Sequence, residues 1–432
     1  MNIEAAITRY IDLSPPSDAV QREVTLSSSF DFIVSIIGPR RAGKTTYMLE
    51  FREKLNVPKE NKIFLNCEDI NLLGIRSDDL QTLEETMLRV YSPVKGFDIY
   101  LFIDEVQNIP NWERWLRTLH DSRNYKVVVS GSTSELSTHK MHSALRGRAI
   151  NTLILPFSFR EFLAAKGVEY NEYMPPHKLA ALEHLFDEYV SYGGYPSVVL
   201  SADINQKIAI LHEIFDTVIQ RDIIEKYRIR QFSAFKIFIN SLLGSVGRQF
   251  SLRKMTNWLM SQRIDIGRQT ALNYLEAAED VFFLYRLPPF SRRARERLVN
   301  PKLYVVDSGI LSLASRDYSK QLENQVFVEL FRRGVDMGYW LGRSGKEVDF
   351  VINKDGKLTL LQVTYSLSDH ATYDREISSL KEADNQLNAD HLIILTKSEG
   401  ERKIKLGEKD VVVQPAWKWF ITPYSGEARL KL

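Results

Sequence analysis

A single cysteine, Cys67, among 432 residues rules out any disulfide within the chain. That usage fits a reducing compartment, and a cytoplasmic location is the expectation. No apolar run reaches the ~18 residues a membrane helix needs. The opening residues lack a basic stretch followed by an apolar one. Neither a spanning helix nor a signal peptide is expected, and no membrane partner. Charge of one sign is also missing: 57 Lys and Arg face 55 Asp and Glu, a net of +2. No global electrostatic argument for nucleic acid follows, so any such argument must rest on local clusters. Internal repeats and low-complexity tracts are absent. His139 and His142 stand at helical spacing, but no cysteine or acid cluster completes a metal-ligand set beside them. What is present is 44% hydrophobic residues spread over a long chain, enough for several cores in two to four structural units.

The first part alternates β-rich runs with helical stretches, the pattern of a parallel α/β sheet. The strand candidates are residues 30–38, 62–67, 99–105, 126–132 and 150–155. They are rich in Ile, Val, Leu and Phe, as strands buried on both faces should be. Cys67 closes one of them and reads as a core residue. From about Phe157 the chain turns helical, over 159–166 and 178–192, then on to about Arg230 and again over 235–287. A basic run at 291–297 precedes a strand at 303–307. After about Asp317 a helix at 321–333 leads to strands near 339–341, 347–353, 358–365 and 392–396.

Gly38-Pro39-Arg40-Arg41-Ala42-Gly43-Lys44-Thr45 fits G-x4-G-K-[ST] between a strand and the helix predicted from Thr46. Glycines there let backbone N–H groups close round phosphates. Lys44 brings a charge to the outer phosphates, and the Thr45 hydroxyl can ligate Mg²⁺. The strand ending in Asp104-Glu105 leaves two carboxylates where ligands sit in an open α/β sheet. Asp104 is the expected Mg²⁺ partner and Glu105 the base that polarises the attacking water. Further along, Ser132, with Thr133 second, is placed to reach the γ-phosphate or that water. Arg146 and Arg148, just before the last sheet strand, can reach a phosphate of this chain or of a neighbour. The cofactors implied are ATP and Mg²⁺.

These stretches resemble the prokaryotic AAA-type ATPases that carry a winged-helix segment and a PD-(D/E)XK nuclease-like C-terminal region. The resemblance spans most of the chain: GPRRAGKTT from Gly38, FIDEVQNIPNWERWLR from Phe102, SGSTSELS from Ser130 and LRGR from Leu145. LPFSFREFL from Leu155, YGGYP from Tyr192, NPKLYVVDSG from Asn300 and EVDFVI from Glu347 continue it. It implies an AAA-type parallel sheet of order 5-1-4-3-2 over residues 1–156 and a helical lid over 157–230. A winged helix over 231–316 and a restriction-endonuclease-like α/β domain over 317–432 complete the expectation. It also implies that Arg146 or Arg148 acts as a finger on a neighbour's ATP, hence a homo-oligomer. A further likeness, to signal-transduction ATPases with a G-x-P lid motif, implies that Pro196 packs on the adenine and that Gly194 permits the approach.

Residues 235–287 fit a helix–turn–helix, with one helix starting at Ser251 and the next at Gly267. Arg292, Arg293, Arg295 and Arg297 fall at the expected wing, where they can contact phosphates or simply face solvent. In the nuclease-like region Glu323 suits the helix acid and Asp349 the strand acid, with Gln362 as third ligand. Thr364 stands where a lysine is wanted and cannot supply its charge. Lys346 or Lys357 are the candidates to replace it. A degenerate fold used for binding is the expectation. Three functions remain: a DNA-acting ATPase, a nucleotide-controlled switch or scaffold, and an ATP-dependent nuclease.

Overall fold

The computed structural model describes residues 2–27, 30–131, 145, 147–170, 174–291 and 300–422. Ser132, Thr133, His139, His142, Arg146 and the four wing arginines lie outside the described residues. The chain divides into two compact units, one running to Leu155 with Asp280–Phe282 added, the other made of Pro156–Glu279 and the chain from Phe283 on. No helix among the described residues is long and apolar enough to cross a membrane.

The first unit is built on five parallel strands: β1 (Ile33–Ile37), β2 (Lys62–Asn66), β3 (Ile99–Asp104), β4 (Tyr125–Gly131) and β5 (Ala149–Leu153). Their order is β2-β3-β4-β1-β5, the 5-1-4-3-2 arrangement read from the other edge. β1 is buried at all five positions, which is why Ile-Val-Ser-Ile-Ile shows no polar alternation. The helix Lys44–Lys54 lays Met48 and Phe51 on Phe64, Phe102 and Val128 of the sheet. At about 25 cal/mol per Å², burying such large apolar side chains is what holds helix to sheet.

In the second unit the helices Phe159–Ala165 and Pro176–Tyr192 are followed by Pro196–Val199 and Ile204–Thr217, the last continuing as a wider π-helical turn over Val218–Glu225. The helical region expected over 235–287, with helices starting at Ser251 and Gly267, is three helices, Phe232–Gly244, Leu252–Ser261 and Arg268–Asp280. Ser251 starts the second by accepting from the Lys254 N–H. The region's last residues, Leu284–Leu287, form a strand, β6. It pairs antiparallel with β7 (Lys302–Val305) in a two-stranded sheet.

The helix Tyr318–Arg332 precedes β8 (Asp336–Leu341), β9 (Glu347–Lys354) and β10 (Lys357–Val363), an antiparallel meander. The helix His370–Leu387 then leads to β11 (His391–Thr396), parallel to β10. β12 (Arg402–Leu406) and β13 (Lys409–Pro415) complete a six-stranded sheet, and neither was foreseen from the sequence. β12 has no fully buried residue, so only two partly covered apolar side chains, Ile404 and Leu406, mark it.

Candidate active site

The P-loop lies where β1 ends, and its backbone is shaped by position rather than by sequence preference. Gly38 has φ 146°, and a Cβ there would stand 2.0 Å from the Ile154 carbonyl oxygen of the strand alongside. Only glycine fits. Arg41 and Gly43 also take positive φ, and Gly43 caps the helix Lys44–Lys54. That helix therefore aims its first N–H groups and a partial positive charge at the loop. Lys44 is 5% exposed, and its ammonium donates to the carbonyls of Gly38 and Pro39, both at 3.1 Å. Arg22 braces the loop from behind, donating to the Ala42 carbonyl at 2.9 Å and to that of Leu155.

Across from the loop, β3 delivers Asp104 in a buried position. The Thr45 hydroxyl donates to its Oδ2 at 2.8 Å, and the Ser130 hydroxyl, from the end of β4, donates to its Oδ1. Burial, reinforced by the neighbouring Glu105, pushes the Asp104 carboxyl up to about 6, and the two hydroxyls and Lys44 pull the other way. Glu105 follows with φ 52°, a turn of the backbone that takes its side chain off the strand direction. Its Oε2 accepts from Gln107 Nε2 at 2.5 Å, and its N–H donates to Ser130 Oγ at 3.2 Å. The serine that joins the carboxylates is thus Ser130. Sequence reasoning did not weigh Ser130; Ser132, expected to reach the γ-phosphate or the attacking water, lies outside the described residues.

Donor set and space suit Mg-ATP. Thr45 and Asp104 offer the hard oxygens that Mg²⁺ prefers, Lys44 a cation for phosphate, and Gly38 a cradle that a side chain would fill. Arg148 is elsewhere. Its carbonyl accepts from the Ile33 N–H at 2.8 Å, which sets it at the start of β1. The P-loop begins five residues further along, about 16 Å at strand rise. The nucleotide of its own chain is therefore out of its reach. Arg148 pairs with Asp121 at 2.8 and 3.3 Å and lines an open surface cleft with Arg114 and Arg117.

Pro196 opens the short helix Pro196–Val199 in the second unit, one residue after the Gly193-Gly194 turn. That turn is tied to a residue sequence reasoning did not weigh. Asp307 accepts from the Gly194 N–H at 2.7 Å and from the Gly309 N–H at 2.8 Å. A Cβ on Gly193 would stand 1.7 Å from its Oδ1. The YGGYP and NPKLYVVDSG stretches are two halves of one buried contact. Replacing Asp307 by Ala leaves two buried N–H groups without an acceptor, and a loss of about 2–4 kcal/mol is expected from thermal or urea unfolding. Burial also pushes the Asp307 carboxyl up to about 7. The folded chain then keeps a proton that the unfolded chain loses near pH 4. This contribution to stability is full below that value and lost as pH rises through about 7. The unfolding midpoint should fall less between pH 5 and 8 in Asp307→Asn than in the native chain.

Glu323 and Asp349 do come together, but round a partner the sequence did not suggest. Lys302, 1% exposed on β7, sets its ammonium 2.6 Å from Glu347, 3.0 Å from Asp349 and 3.2 Å from Glu323. Tyr304, two residues on and so on the same face, donates to Glu323 at 2.7 Å. Burial opposes the Lys302 charge, but Glu323, Tyr304, Asp349 and Glu347 hold the ammonium well above the ordinary lysine range. Burial pushes Glu323 up to about 7, with Lys302 drawing it down.

Two expectations are corrected here. Gln362 is not a third ligand. Its Oε1 accepts from the Asp349 N–H at 2.9 Å and its Nε2 donates to the Glu347 carbonyl at 3.0 Å, so the amide is spent on the β9 backbone. Nor do Lys346 or Lys357 replace the missing lysine: Lys346 turns to Glu382 at 3.9 Å and Lys357 is exposed. The cation comes from β7, and its signal was a lysine in the otherwise apolar run Leu303-Tyr304-Val305. Among the described residues no group of three or more His, Cys, Asp or Glu is arranged to hold a metal ion.

Comparison with known proteins matches residues 31–163 to an AAA domain. Residues 183–321 and 318–418 match two domains of unknown function, DUF8612 and DUF4143. Among solved structures, the Walker-type ATPase PABY2304 of Pyrococcus abyssi is 14% identical, covering 70% of this chain and 99% of its own at a TM-score of 0.43. The Aeropyrum pernix ORC1 protein, solved in complex with DNA, is 14% identical over 67% of this chain and 88% of its own, at 0.28. Identity is higher elsewhere. The uncharacterized protein MJ1544 of Methanocaldococcus jannaschii is 31% identical over 430 residues, 97% of this chain and 95% of that one. An uncharacterized protein of Haemophilus influenzae is 32% identical over 79% of this chain and 84% of its own. The chain, with its AAA domain and five-stranded P-loop sheet, belongs to the family of these archaeal and bacterial proteins.

Proposed function

We propose that the chain is a Mg²⁺-dependent ATPase that couples ATP binding and hydrolysis to conformational change, acting on or with DNA. One observation carries the ATPase reading: the Thr45 hydroxyl and the Asp104 carboxylate meet at 2.8 Å beside Glu105, at the mouth of a glycine-shaped P-loop. Thr45 and Asp104 would hold Mg²⁺, which when bound neutralises phosphate charge. The P-loop N–H groups and Lys44 hold and orient the phosphates. Glu105 takes a proton from water at its carboxylate, and Ser130 keeps Asp104 in place. Arg148 serves a neighbouring chain, which makes the working form an oligomer.

The DNA part rests on the second unit. Three helices followed by the β6–β7 pair have the order of a winged helix, and the sequence between those strands carries four arginines suited to phosphates. The order helix, β8-β9-β10 meander, helix, parallel β11 is that of the nuclease-like fold, and we read it as a binding domain without cleavage activity. The test is the rate of phosphate release per chain against protein concentration, in Mg²⁺ or EDTA, with and without duplex DNA. Release should need Mg²⁺, rise with concentration and rise again with DNA. No response to DNA would replace this reading with a nucleotide-controlled switch. No release in Mg²⁺ at any concentration would sink the ATPase itself.

A further inference from the structure

We propose that the Lys302 ammonium is a built-in substitute for a divalent cation in the acidic site of the second unit, so that this site works without metal and excludes it. The inference deepens the reading of that unit as a nuclease-like fold without cleavage, and rests on it. Three carboxylate oxygens from two elements, the helix Tyr318–Arg332 and β9, converge on one point. A cation bound by carboxylates would sit at that point, and Nζ sits there instead.

The surroundings fix the ammonium in place. Lys302 lies on a paired strand, with its neighbour Gln249 bridged to it across the backbone. Its Nζ lies 5.9 Å from the centroid of the Tyr339 ring. Gln249 Nε2 donates to the outer oxygen of Glu347 at 3.0 Å, and the Val363 N–H donates to Asp349 Oδ2 at 3.0 Å. Each acid is therefore oriented by a second contact, as ligands of a metal commonly are. The remaining nearby acid, Glu376, is buried and accepts from Arg375 at 2.6 Å. A divalent ion would have to share the space of Nζ and the attraction of the same carboxylates. Without the lysine, the carboxylates need to close in by up to about 1.2 Å to reach the 2.0–2.6 Å of Mg²⁺ or Ca²⁺ ligands.

Removing the lysine side chain should thus open a divalent-cation site. The experiment uses the full chain free of nucleotide. Native protein, Lys302→Ala and the double variant Lys302→Ala/Asp349→Asn are titrated with Mn²⁺ by electron paramagnetic resonance and melted with and without Ca²⁺. Lys302→Ala should gain one Mn²⁺ site per chain, with a dissociation constant of about 10⁻⁴–10⁻³ M, the range of sites with few charged ligands. Its melting point should drop in EDTA and recover with Ca²⁺. The native chain should show no such site, and the double variant should lose most of the gain. If Lys302→Ala folds only poorly, its refolding yield in Ca²⁺ against EDTA gives the same reading. Equal Mn²⁺ binding by native protein and Lys302→Ala, or a variant indifferent to divalent ions up to 10-fold above that range, overturns the proposal. Mn²⁺-dependent DNA cleavage by the native chain, lost in Asp349→Ala, would instead overturn the reading beneath it.

Discussion

Glu105→Gln protein is expected to bind ATP as the native chain does and to release phosphate about 10²–10⁴-fold more slowly, the usual contribution of a positioned general base. The structure says why the two properties separate. Glu105 is not among the groups that hold the phosphates: it stands one residue past Asp104, turned off the strand at φ 52°. Glutamine keeps the size and can still accept from Gln107, so the local hydrogen bond at 2.5 Å survives while the basic carboxylate is lost. Asp104 keeps its two hydroxyl partners, Thr45 and Ser130, and with them the place for Mg²⁺. Lys44→Ala should show the opposite pattern, a loss of binding. It removes a buried ammonium from the loop and leaves the Gly38 and Pro39 carbonyls without that donor. Fluorescent-nucleotide binding and phosphate release measured on the same preparations check both. Native turnover by Glu105→Gln would show that another group activates the water.

The P-loop unit was legible because its signals are local and dense. A P-loop needs glycines at fixed spacing, and a strand buried on both faces needs an uninterrupted apolar run. Both can be read from ten residues, and β1, β3 and the loop between strand and helix followed. Ser130 was missed because its partners, Asp104 and the Glu105 N–H, lie 26 and 25 residues away at the end of another strand. The losses in the second unit have the same cause. Lys302 meets Glu323, Glu347 and Asp349 across 21 to 47 residues, and no periodicity joins residues so far apart. Asp307 reaches Gly194 over 113 residues. In sequence a lysine within a short apolar strand looks like a misfit. In the fold it is a charge with its partners supplied by other elements, which is the usual condition for burying one. Gln362 misled in the opposite direction: it stands where the resemblance expects a third ligand, but its amide hydrogen-bonds to the β9 backbone.

Arg148→Ala protein is expected to keep its fold and its ATP binding and to lose about 10³–10⁵-fold in hydrolysis, the range over which an arginine finger acts. Stability should barely change, because the pair it makes with Asp121 is at the surface and such pairs contribute little. The size of the kinetic loss follows from geometry. At the start of β1, Arg148 is at the far end of the sheet from its own P-loop, which is why the proposed finger is assigned to a second chain. Arg114 and Arg117 line the same cleft and add positive potential toward an incoming phosphate-bearing face. The decisive measurement mixes two inactive proteins. Arg148→Ala supplies an intact Glu105, and Glu105→Gln supplies an intact Arg148. At an interface between them, one of the two orientations has both groups. Hydrolysis should therefore appear on mixing, grow with total protein concentration, and vanish when either partner is replaced by a chain carrying both substitutions. Mixed oligomers that form, as shown by co-purification through a tag on one protein, yet stay inactive would remove Arg148 from the chemistry and leave it a surface residue paired with Asp121.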